Sequence, residues 1–228
     1  MTTPASTTTA SPDLRSALLE TFVTMGAVGL NRGTSGNASV RLAAEPAHPD
    51  FLITPSGLPT DQLATDDLVV ISDGSRFEGA REPSSEWHLH HDIYAAYPQA
   101  GAVLHAHSPF ATALACQRLE IPAFHYLIAL FGGTSIRCAD YATFGTQELS
   151  DAAVAALEDR CGCLLANHGM VVHGRDLAHA LSLAVQFETL CEQYWRTCQL
   201  APPAILTAVE MAAAALQFAR YESLVRQG

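Results

Sequence analysis

Residues 83–109 read Pro-Ser-Ser-Glu-Trp-His-Leu-His-His-Asp-Ile-Tyr-Ala-Ala-Tyr-Pro-Gln-Ala-Gly-Ala-Val-Leu-His-Ala-His-Ser-Pro and contain five of the ten histidines of the chain. From Gly101 onward this stretch is small, branched and apolar, which predicts a β-strand. Side chains alternate between the two faces of a strand, so His105 and His107 would point to the same side. Two imidazoles on one face at the end of a strand are typical of a divalent-metal site.

A third histidine follows another predicted strand. Residues 163–166 are apolar, and residues 167–169, Asn-His-Gly, come directly after them. A catalytic zinc typically takes three protein ligands and keeps one position open, and imidazole suits zinc. His105, His107 and His168 are therefore candidate ligands for one divalent metal. The alternative interpretation is that all three are ordinary polar residues at strand ends.

Other candidate ligands lie on a predicted helix. Residues 84–97 begin with two serines that can cap a helix, and Glu86 would fall in its first turn. Residues three or four apart share a helix face, so His88 and His91 would form a second possible metal site. Glu86 and His90 would form a third. The alternative is that Glu86 only complements the helix dipole and that these histidines lie on solvated or packed flanks.

The length and composition predict one domain. A chain of 228 residues can build a substantial core, and we predict a disordered tail at residues 1–10 and a single domain at residues 11–228. We predict neither a secretory signal nor a membrane span, because residues 1–10 have no basic start or apolar centre and no apolar run is long enough to cross a bilayer. The six cysteines form no disulfide framework, which favours the cytoplasm. The net charge of −11 argues against a nucleic-acid partner.

All 12 basic residues are arginine, and the chain contains no lysine. This composition excludes a Schiff-base lysine, a pyridoxal-phosphate lysine and a Walker A lysine within the chain. Any carbanion chemistry would therefore have to use a metal as the electron sink.

Two segments are rich in glycine, hydroxyl groups and amides. Residues 31–39 read Asn-Arg-Gly-Thr-Ser-Gly-Asn-Ala-Ser, and residues 54–57 read Thr-Pro-Ser-Gly. Such loops can fold into a concave arrangement of backbone N–H groups that binds an anion without lysine. Surface turns have the same composition, so the loops alone leave both interpretations open.

The order of the elements predicts an α/β fold with a sheet between helices, an α/β/α layering. The first part of the chain would be a helix followed by antiparallel strands, with a hairpin turn at Asp73-Gly74. Further strands are predicted at residues 122–130 and 135–139. A long amphipathic helix is predicted from residue 176 to residue 199, followed by a last helix.

Several segments form a pattern shared with a known family. They are Gly-Thr-Ser-Gly-Asn-Ala-Ser at 33–39, Ile-Thr-Pro-Ser-Gly at 53–57, Pro-Ser-Ser-Glu at 83–86, His-Ala-His at 105–107 and Asn-His-Gly at 167–169. A longer block includes Pro-Ala-Phe-His-Tyr at 122–126, Gly-Gly-Thr-Ser-Ile at 132–136 and Tyr-Ala-Thr-Phe-Gly-Thr-Gln-Glu-Leu-Ser at 141–150. Over about residues 13–200 the chain resembles the class II aldolase/adducin family. The longer block resembles its L-fuculose-phosphate aldolase branch.

The resemblance implies a mostly antiparallel central sheet of about nine strands between helix layers. It also implies a C4 homotetramer with active sites shared between subunits, and one zinc per chain. The implied substrate is a small-molecule ketose 1-phosphate such as L-fuculose 1-phosphate. The implied reaction cleaves it to dihydroxyacetone phosphate and an aldehyde such as lactaldehyde, through a zinc-stabilised enediolate.

The resemblance further implies roles for four metal-site residues. His105, His107 and His168 match the zinc ligands of the family. Glu86 matches a carboxylate that ligates zinc in the resting enzyme and becomes the catalytic base. These assignments agree with the strand-end interpretation of the three histidines.

Other roles concern the substrate. Tyr126 matches a catalytic tyrosine contributed by the neighbouring subunit, an acid toward the aldehyde oxygen. Phe144 and Tyr221 match aromatic residues on the substrate side. The residues that match the phosphate-binding loops are Thr34, Ser35, Gly36, Asn37, Ser56, Gly57, Ser84 and Ser85.

Three alternatives stay open at this point. L-ribulose-5-phosphate 4-epimerases share the metal and phosphate sites, but we expect aspartate in them at the position of Glu86. A different phosphosugar aldolase, acting on a deoxy- or methylthio-ribulose phosphate, is the closest alternative. An adducin-like scaffold would keep the fold without the chemistry, and the presence of the three histidines with Glu86 disfavours it.

Overall fold

A large β-sheet lies between two layers of helices in the computed structural model of the chain. The structure describes residues 10–42, 49–72 and 75–225, with side chains described as far as residue 221. The predicted tail, apart from Ala10, and the predicted hairpin turn lie outside the described residues.

Helices and strands alternate along much of the chain. The helices are α1 (Pro12–Ala27), α2 (Trp87–Ala96), α3 (Pro109–Ala115), α4 (Gln147–Ala156), α5 (Leu177–Leu200) and α6 (Ala208–Val225). The strands are β1 (Asn37–Arg41), β2 (Phe51–Ile53), β3 (Val69–Ser72), β4 (Arg76–Glu78), β5 (Ala102–Ala106), β6 (Ile121–Pro122), β7 (Ser135–Ile136), β8 (Cys138–Ala139), β9 (Gly162–Leu165) and β10 (Gly169–Gly174). Short 3-10 helices lie at Thr60–Gln62, Thr65–Asp67 and Tyr126–Phe131. In the described part of the chain, no helix is both long and apolar enough to cross a membrane.

Eight strands form one sheet in the order β4-β3-β2-β1-β5-β10-β9-β8. Neighbouring strands are antiparallel except for β8 and β9, which are parallel. The predicted α/β/α layering and mostly antiparallel sheet are confirmed. The expected sheet of about nine strands is instead a sheet of eight, with β6 and β7 forming a separate antiparallel pair.

Strand β5 lies at the centre of the large sheet, and its register positions His105. Asn37 of β1 lies opposite His105 on one side, and Val171 of β10 lies opposite it on the other. Directly paired residues place their side chains on the same face of a sheet. The side chains of Asn37 and His105 therefore emerge together.

The sheet separates two hydrophobic cores because side chains alternate along each strand. On β5, Leu104 belongs to the core shared with α1, α3 and α5, whereas Val103 belongs to the core shared with α2 and α4. His105 follows the same alternation and lies on the face of Val103. This register directs His105 toward the layer that contains α2.

One predicted strand is wrong, and another is divided between two sheets. Residues 122–130 turn into the 3-10 helix Tyr126–Phe131, where the Nδ1 atom of His125 accepts a hydrogen bond from the N–H of Leu127 at 3.2 Å. Such local side-chain hydrogen bonds compete with strand pairing, and an apolar run alone does not exclude a short helix. Residues 135–139 divide between β7, which pairs with β6, and β8, which pairs with β9.

One carboxylate holds α3 against α5. The Oε2 atom of Glu188 accepts hydrogen bonds from Ser108 Oγ at 2.7 Å and from the N–H of Ala111 at 2.9 Å. Its Oε1 atom accepts from the N–H of Phe110 at 2.8 Å. These amides have no partner within their own helix, and a carboxylate also complements the helix dipole. Because α3 begins directly after His107, Glu188 helps to fix the exit of the chain from β5.

We expect Glu188→Gln to lower the free energy of unfolding by about 1–3 kcal/mol, because charge-assisted hydrogen bonds are lost. Glu192→Gln on the same helix is the matched control. Glu192 pairs with the exposed Arg196 four residues away, so its loss should change the free energy by less than about 0.5 kcal/mol. Urea unfolding at one fixed protein concentration measures both. Equal stability of the two variants would contradict the anchoring role of Glu188.

Candidate metal centre and substrate pocket

Three histidines converge at the edge where the central strands end. His105 is the second-to-last residue of β5, His107 follows this strand, and His168 lies in the turn between β9 and β10. The centroids of their rings are 4.7–4.8 Å apart. One nitrogen of each ring and one carboxylate oxygen of Glu86 all lie within 4.8 Å of one another. The structure thus brings together the four predicted metal ligands.

The Asn-His-Gly turn allows this close approach. A Cβ atom on Gly169 would lie 2.4 Å from the carbonyl oxygen of Ala106, so only glycine lets β10 begin against the end of β5. Asn167 has a φ of 55°, a left-handed conformation that asparagine adopts more readily than most residues. Both neighbours therefore serve the backbone geometry that places His168 beside His105.

Glu86 lies one position before α2 rather than in its first turn as predicted. Its side chain makes no capping hydrogen bond, and its N–H donates to Ser84 Oγ at 3.3 Å. The carboxylate is directed at the histidines instead. Its Oε2 atom lies 3.2 Å from His105 Nε2, and its Oε1 atom lies 3.3 Å from His168 Nε2.

The donor set fits a divalent metal in chemistry and in spacing. A tetrahedral zinc with bonds of about 2.0–2.1 Å places neighbouring ligand atoms about 3.3 Å apart. The Nε2 atoms of His105 and His107 are 2.9 Å apart, close to this spacing, as are the distances from Glu86. The Oε1 atom of Glu86 is also buried without a hydrogen bond. A cation would satisfy this buried oxygen, so these four residues could hold a divalent metal.

The tautomer of His105 suits a metal ligand. Its Nδ1 atom lies 2.8 Å from the carbonyl oxygen of Met170. A carbonyl oxygen only accepts, so Nδ1 carries a proton, and Nε2, which is directed toward His107 and Glu86, is the nitrogen available to a metal. Metal-binding histidines commonly use the second ring nitrogen in this way, which fixes the orientation of the ring.

The electrostatics of the cluster favour a positive charge at its centre. Burial lowers the pKa of His107 and of His168 to about 4, with a further contribution from His105. Burial alone would raise the pKa of Glu86, but His105, His168 and a hydrogen bond from Asn37 hold it well below its usual range. Burial alone would lower the pKa of His105, but Glu86 raises it, so the ionised carboxylate faces one imidazole that favours a proton and two that are neutral at neutral pH. A metal cation would compensate this buried charge.

Three of the four candidate ligands, Glu86, His107 and His168, line a cavity of about 370 Å³. All eight predicted phosphate-binding residues line the same cavity, namely Thr34, Ser35, Gly36, Asn37, Ser56, Gly57, Ser84 and Ser85. The described residues that line it include no arginine, and the chain has no lysine. Hydroxyl groups, amides and backbone are thus the polar groups available beside the metal site.

Backbone hydrogen bonds join two of the loops that line the cavity. The N–H of Ser84 donates to the carbonyl of Thr54, and the N–H of Ser56 donates to the carbonyl of Glu82, each at 3.1 Å. The third loop turns at Gly36, whose φ of +78° favours glycine. Segments that are distant in sequence thus form one continuous wall.

The predicted aromatic residues occupy two different places. Phe144 lines the cavity and is 65% exposed. Tyr126 is 51% exposed and stacks on Phe218 of α6, with ring centroids 5.9 Å apart. Tyr221, also on α6, is 66% exposed. Neither tyrosine is among the described residues that line the cavity of their own chain.

Neither of the two possible metal sites on or beside α2 belongs to a cluster of three or more potential ligands among the described residues. The group of Glu86 with three strand-end histidines is the cluster of potential ligands found among the described residues. His88 stacks on Trp87 with ring centroids 3.7 Å apart, and His91 Nδ1 lies 2.8 Å from Asp92 Oδ1. These histidines have packing and polar contacts of their own.

Several residues and contacts of the site were not predicted from the sequence. Asn37, predicted only as a phosphate ligand, donates from Nδ2 to Glu86 Oε2 at 2.9 Å, and its Oδ1 atom lies 2.5 Å from Nε2 of His90. Tyr141 and Asn167 also line the cavity. The only signal for Tyr141 was its position in the long block shared with the aldolase family. The contact between Asn37 and Glu86 spans 49 positions and has no local signal.

Comparison with known proteins agrees with this site. The sequence model of the Class II Aldolase and Adducin N-terminal domain matches residues 16–195. A 5-methylthioribulose-1-phosphate/5-deoxyribulose-1-phosphate aldolase from Rhodospirillum rubrum is 50% identical over 208 residues, covering 91% of this chain and 92% of that protein. An L-fuculose phosphate aldolase from Escherichia coli (strain K12) is 40% identical over 205 residues, covering 90% and 93%. A solved L-fuculose 1-phosphate aldolase superposes with a TM-score of 0.87 at 36% identity, covering 93% of this chain and 99% of that one.

The matched segment, residues 16–195, contains all four candidate metal ligands and all eight predicted phosphate-binding residues. The relatives named above are called aldolases, and the chain matches nearly their whole length. The donor set is intact, in contrast to the expectation for a scaffold that has lost its chemistry. The chain therefore belongs to the class II aldolase family and is an enzyme of the carbon–carbon lyase class.

Proposed function

We propose that the protein cleaves a ketose 1-phosphate into dihydroxyacetone phosphate and an aldehyde by a metal-dependent retro-aldol reaction. The observation that carries the proposal is the buried carboxylate of Glu86 grouped with three histidines beside a cavity of hydroxyl groups and amides. The preferred substrate is 5-methylthioribulose 1-phosphate or 5-deoxyribulose 1-phosphate, because the Rhodospirillum rubrum aldolase of that name is 50% identical to the chain. L-fuculose 1-phosphate is the second candidate, supported by the TM-score of 0.87 with an aldolase of that sugar.

Zinc is the proposed metal, because three imidazoles and one carboxylate are donors that zinc prefers. His105, His107 and His168 would stay bound throughout, and Glu86 would be the fourth ligand until the substrate displaces it. A bound zinc would supply Lewis-acid stabilisation for the negative charge that develops on the ketose oxygens. With no lysine in the chain, a Schiff base cannot serve this purpose.

Glu86 is the proposed catalytic base. In the direction of bond formation, its carboxylate takes a proton from the hydroxyl-bearing carbon of dihydroxyacetone phosphate. In the direction of cleavage, it returns that proton to the same carbon as the electron pair of the broken bond is released. The buried Oε1 atom, which has no hydrogen bond, is the oxygen available for this transfer.

The phosphate of the substrate would bind to the neutral loops of the cavity. The hydroxyl groups of Ser56, Ser84 and Ser85 and the glycine-rich turn at Gly36 offer donors without a fixed positive charge. Asn37 already donates its side-chain amide to Glu86, so its part in phosphate binding stays a prediction.

The active site would be shared between subunits of a C4 homotetramer. Tyr126 and Tyr221 are at least half exposed and lie outside the described cavity lining of their own chain, which supports a role in the site of a neighbouring subunit. In bond formation, Tyr126 would give its phenol proton to the aldehyde oxygen, and in cleavage it would take that proton back. Exposed apolar residues of α6, including Val209 and Leu216, support burial of this region against another subunit.

A cytoplasmic location is part of the proposal. The six cysteines, all of them in the described ranges, are thiols outside any disulfide. Burial raises the pKa of the Cys138 thiol to about 11, so this thiol stays protonated and unreactive. Such cysteines suit a reducing compartment.

The substrate assignment predicts that the zinc-loaded protein releases dihydroxyacetone phosphate from 5-methylthioribulose 1-phosphate and 5-deoxyribulose 1-phosphate. We expect kcat/KM to exceed that for L-fuculose 1-phosphate about tenfold or more, because contacts of about 1–3 kcal/mol to the aldehyde end separate such substrates about 10–200-fold. Coupling the product to NADH oxidation by glycerol-3-phosphate dehydrogenase measures the rate. Epimerisation of L-ribulose 5-phosphate without release of dihydroxyacetone phosphate from any ketose 1-phosphate would refute the proposal.

The ligand assignment predicts that His168→Ala weakens zinc binding more than about 100-fold. A change in a residue that only supports a metal ligand weakens binding about 10–100-fold. His88→Ala is the matched control, because His88 stacks on Trp87 and lies outside the group of Glu86 and the three strand-end histidines. Competition with a chromophoric zinc chelator gives both affinities without any activity measurement. Loss of zinc in His88→Ala with retention in His168→Ala would place the metal on α2 instead.

The shared-site proposal predicts that Glu86→Gln and Tyr126→Phe are each at least about a hundredfold less active than the wild type, because each loses a proton-transfer group. Mixed tetramers of the two variants should regain activity, since some interfaces then combine an intact Glu86 with an intact Tyr126. Mixtures are prepared by co-expression with two different affinity tags and purified on both. A monomeric protein, or doubly purified mixtures as inactive as the parents, would exclude a shared site.

A further inference from the structure

A chain of buried hydrogen bonds leads from Glu86 into the layer between β1 and α2. Asn37 Nδ2 lies 2.9 Å from Glu86 Oε2, and Asn37 Oδ1 lies 2.5 Å from His90 Nε2. His90 Nδ1 lies 2.6 Å from Ser39 Oγ, which is 2.8 Å from the hydroxyl of Tyr94. His90, Ser39 and Tyr94 are completely buried, and Asn37 is 4% exposed. His90, Ser39 and Tyr94 have no role in the reaction as proposed above.

Only one arrangement of protons satisfies every contact. The ionised carboxylate of Glu86 can only accept, so Asn37 donates from Nδ2 and its Oδ1 atom must accept from the Nε2–H group of His90. Burial lowers the pKa of His90 to about 3, which leaves the ring neutral with a single N–H group. Its Nδ1 atom therefore accepts from the hydroxyl of Ser39, and Ser39 in turn accepts from the hydroxyl of Tyr94.

The far end of this chain is fixed by Arg41. Its guanidinium lies over the ring of Tyr94, 4.7 Å from the ring centroid, and donates to the carbonyl of Tyr94 at 2.6 Å. It also donates to the carbonyl of Ala100 at 2.8 Å. These contacts tie α2 to β1, so that His90 cannot shift without disturbing both elements.

We propose that His90, as the Nε2–H tautomer, is a positioning residue that fixes the amide of Asn37 and thereby the carboxylate of Glu86. If the amide of Asn37 were reversed, its Oδ1 atom would face the carboxylate and its Nδ2 group would face the N–H of His90. Both contacts would be repulsive, and in a buried network an unsatisfied polar group is costly. His90 therefore keeps Oε2 of Glu86 hydrogen-bonded and leaves Oε1 for the metal and the proton transfer.

The role of Glu86 as a base in this inference rests on the proposed function, whereas the hydrogen-bond geometry around His90 does not. The side-chain amide nitrogen of glutamine falls near the Nε2 position of a histidine, whereas that of asparagine falls near Nδ1. His90→Gln can thus keep the donor to Asn37, and His90→Asn cannot. The pair separates positioning of Glu86 from a general need for a polar residue in the core.

We expect His90→Asn to lower kcat about 30- to 100-fold and to weaken Co²⁺ binding about tenfold or more, as is usual when the residue behind a metal ligand is lost. The KM should change less than about twofold. His90→Gln should restore kcat to within about fivefold of the wild type. Activity is measured with whichever ketose 1-phosphate the wild type cleaves, and Co²⁺ binding by its visible absorption.

The matched control is His173, another buried histidine, which is 5% exposed and contacts the carbonyl of Arg160 at 3.1 Å. It is not among the described residues that line the cavity. His173→Asn and His173→Gln should lower stability while kcat and Co²⁺ affinity stay within about twofold of the wild type. Equal kcat and equal Co²⁺ affinity for His90→Asn and His90→Gln would overturn the positioning role.

A second measurement needs no variant. Nuclear magnetic resonance of the zinc-loaded protein with ¹⁵N-labelled histidine distinguishes a protonated from an unprotonated ring nitrogen. We expect His90 to be protonated at Nε2 and unprotonated at Nδ1, and the opposite tautomer would overturn the inference. If the wild type cleaves no ketose 1-phosphate, the proposed function fails, while the tautomer and the Co²⁺ affinities still decide the role of His90.

Discussion

The negative charge of a buried carboxylate must be compensated by nearby groups, and polar side chains from several elements surround Glu86. Its side chain is almost fully enclosed, and it faces three imidazole rings and one amide. The strand register brings Asn37 and His105 to the same face, and the turn before β10 adds His168. Removing water from an ion costs several kcal/mol, which one hydrogen bond does not offset. His105 and Asn37 compensate part of this charge, and a cation held between Glu86 and the three histidines would compensate the rest.

The sequence contained enough information to predict that His105 and His107 share one face and that His168 lies at another strand end, because these signals are local. The spacing of His105 and His107 on one face follows from the alternation of a strand. Gly169 permits a backbone approach that a Cβ atom would block at 2.4 Å, so the glycine next to His168 marked the turn. The layered fold was predictable for the same reason, since it follows from apolar periods and breaks within short windows.

The parts that could not be predicted depend on tertiary contacts. Helical spacing on α2 offered further metal sites, and only the approach of β5 and β10 decides that Glu86 turns to the strands while His90 turns to Asn37. The apolar stretch before Phe131 satisfies strand and helix patterns equally, and the side chain of His125 selects the helix. Glu86 also lies one position before the first residue of α2 instead of within its first turn. A shift of that size changes the direction of a side chain and lies within the usual error of predicted helix ends.

In the proposed reaction, the absence of lysine affects the proton affinity of Glu86. A ketose 1-phosphate would carry a phosphate dianion into a cavity of about 370 Å³ whose described lining has no arginine either. Glu86 lies in the same cavity, and like charges disfavour the ionised form of a carboxylate. The dianion would thus increase the proton affinity of Glu86 at the moment when the substrate replaces it on the metal. A neutral phosphate site is therefore suited to turning a metal ligand into a base, whereas a cationic site would oppose that change.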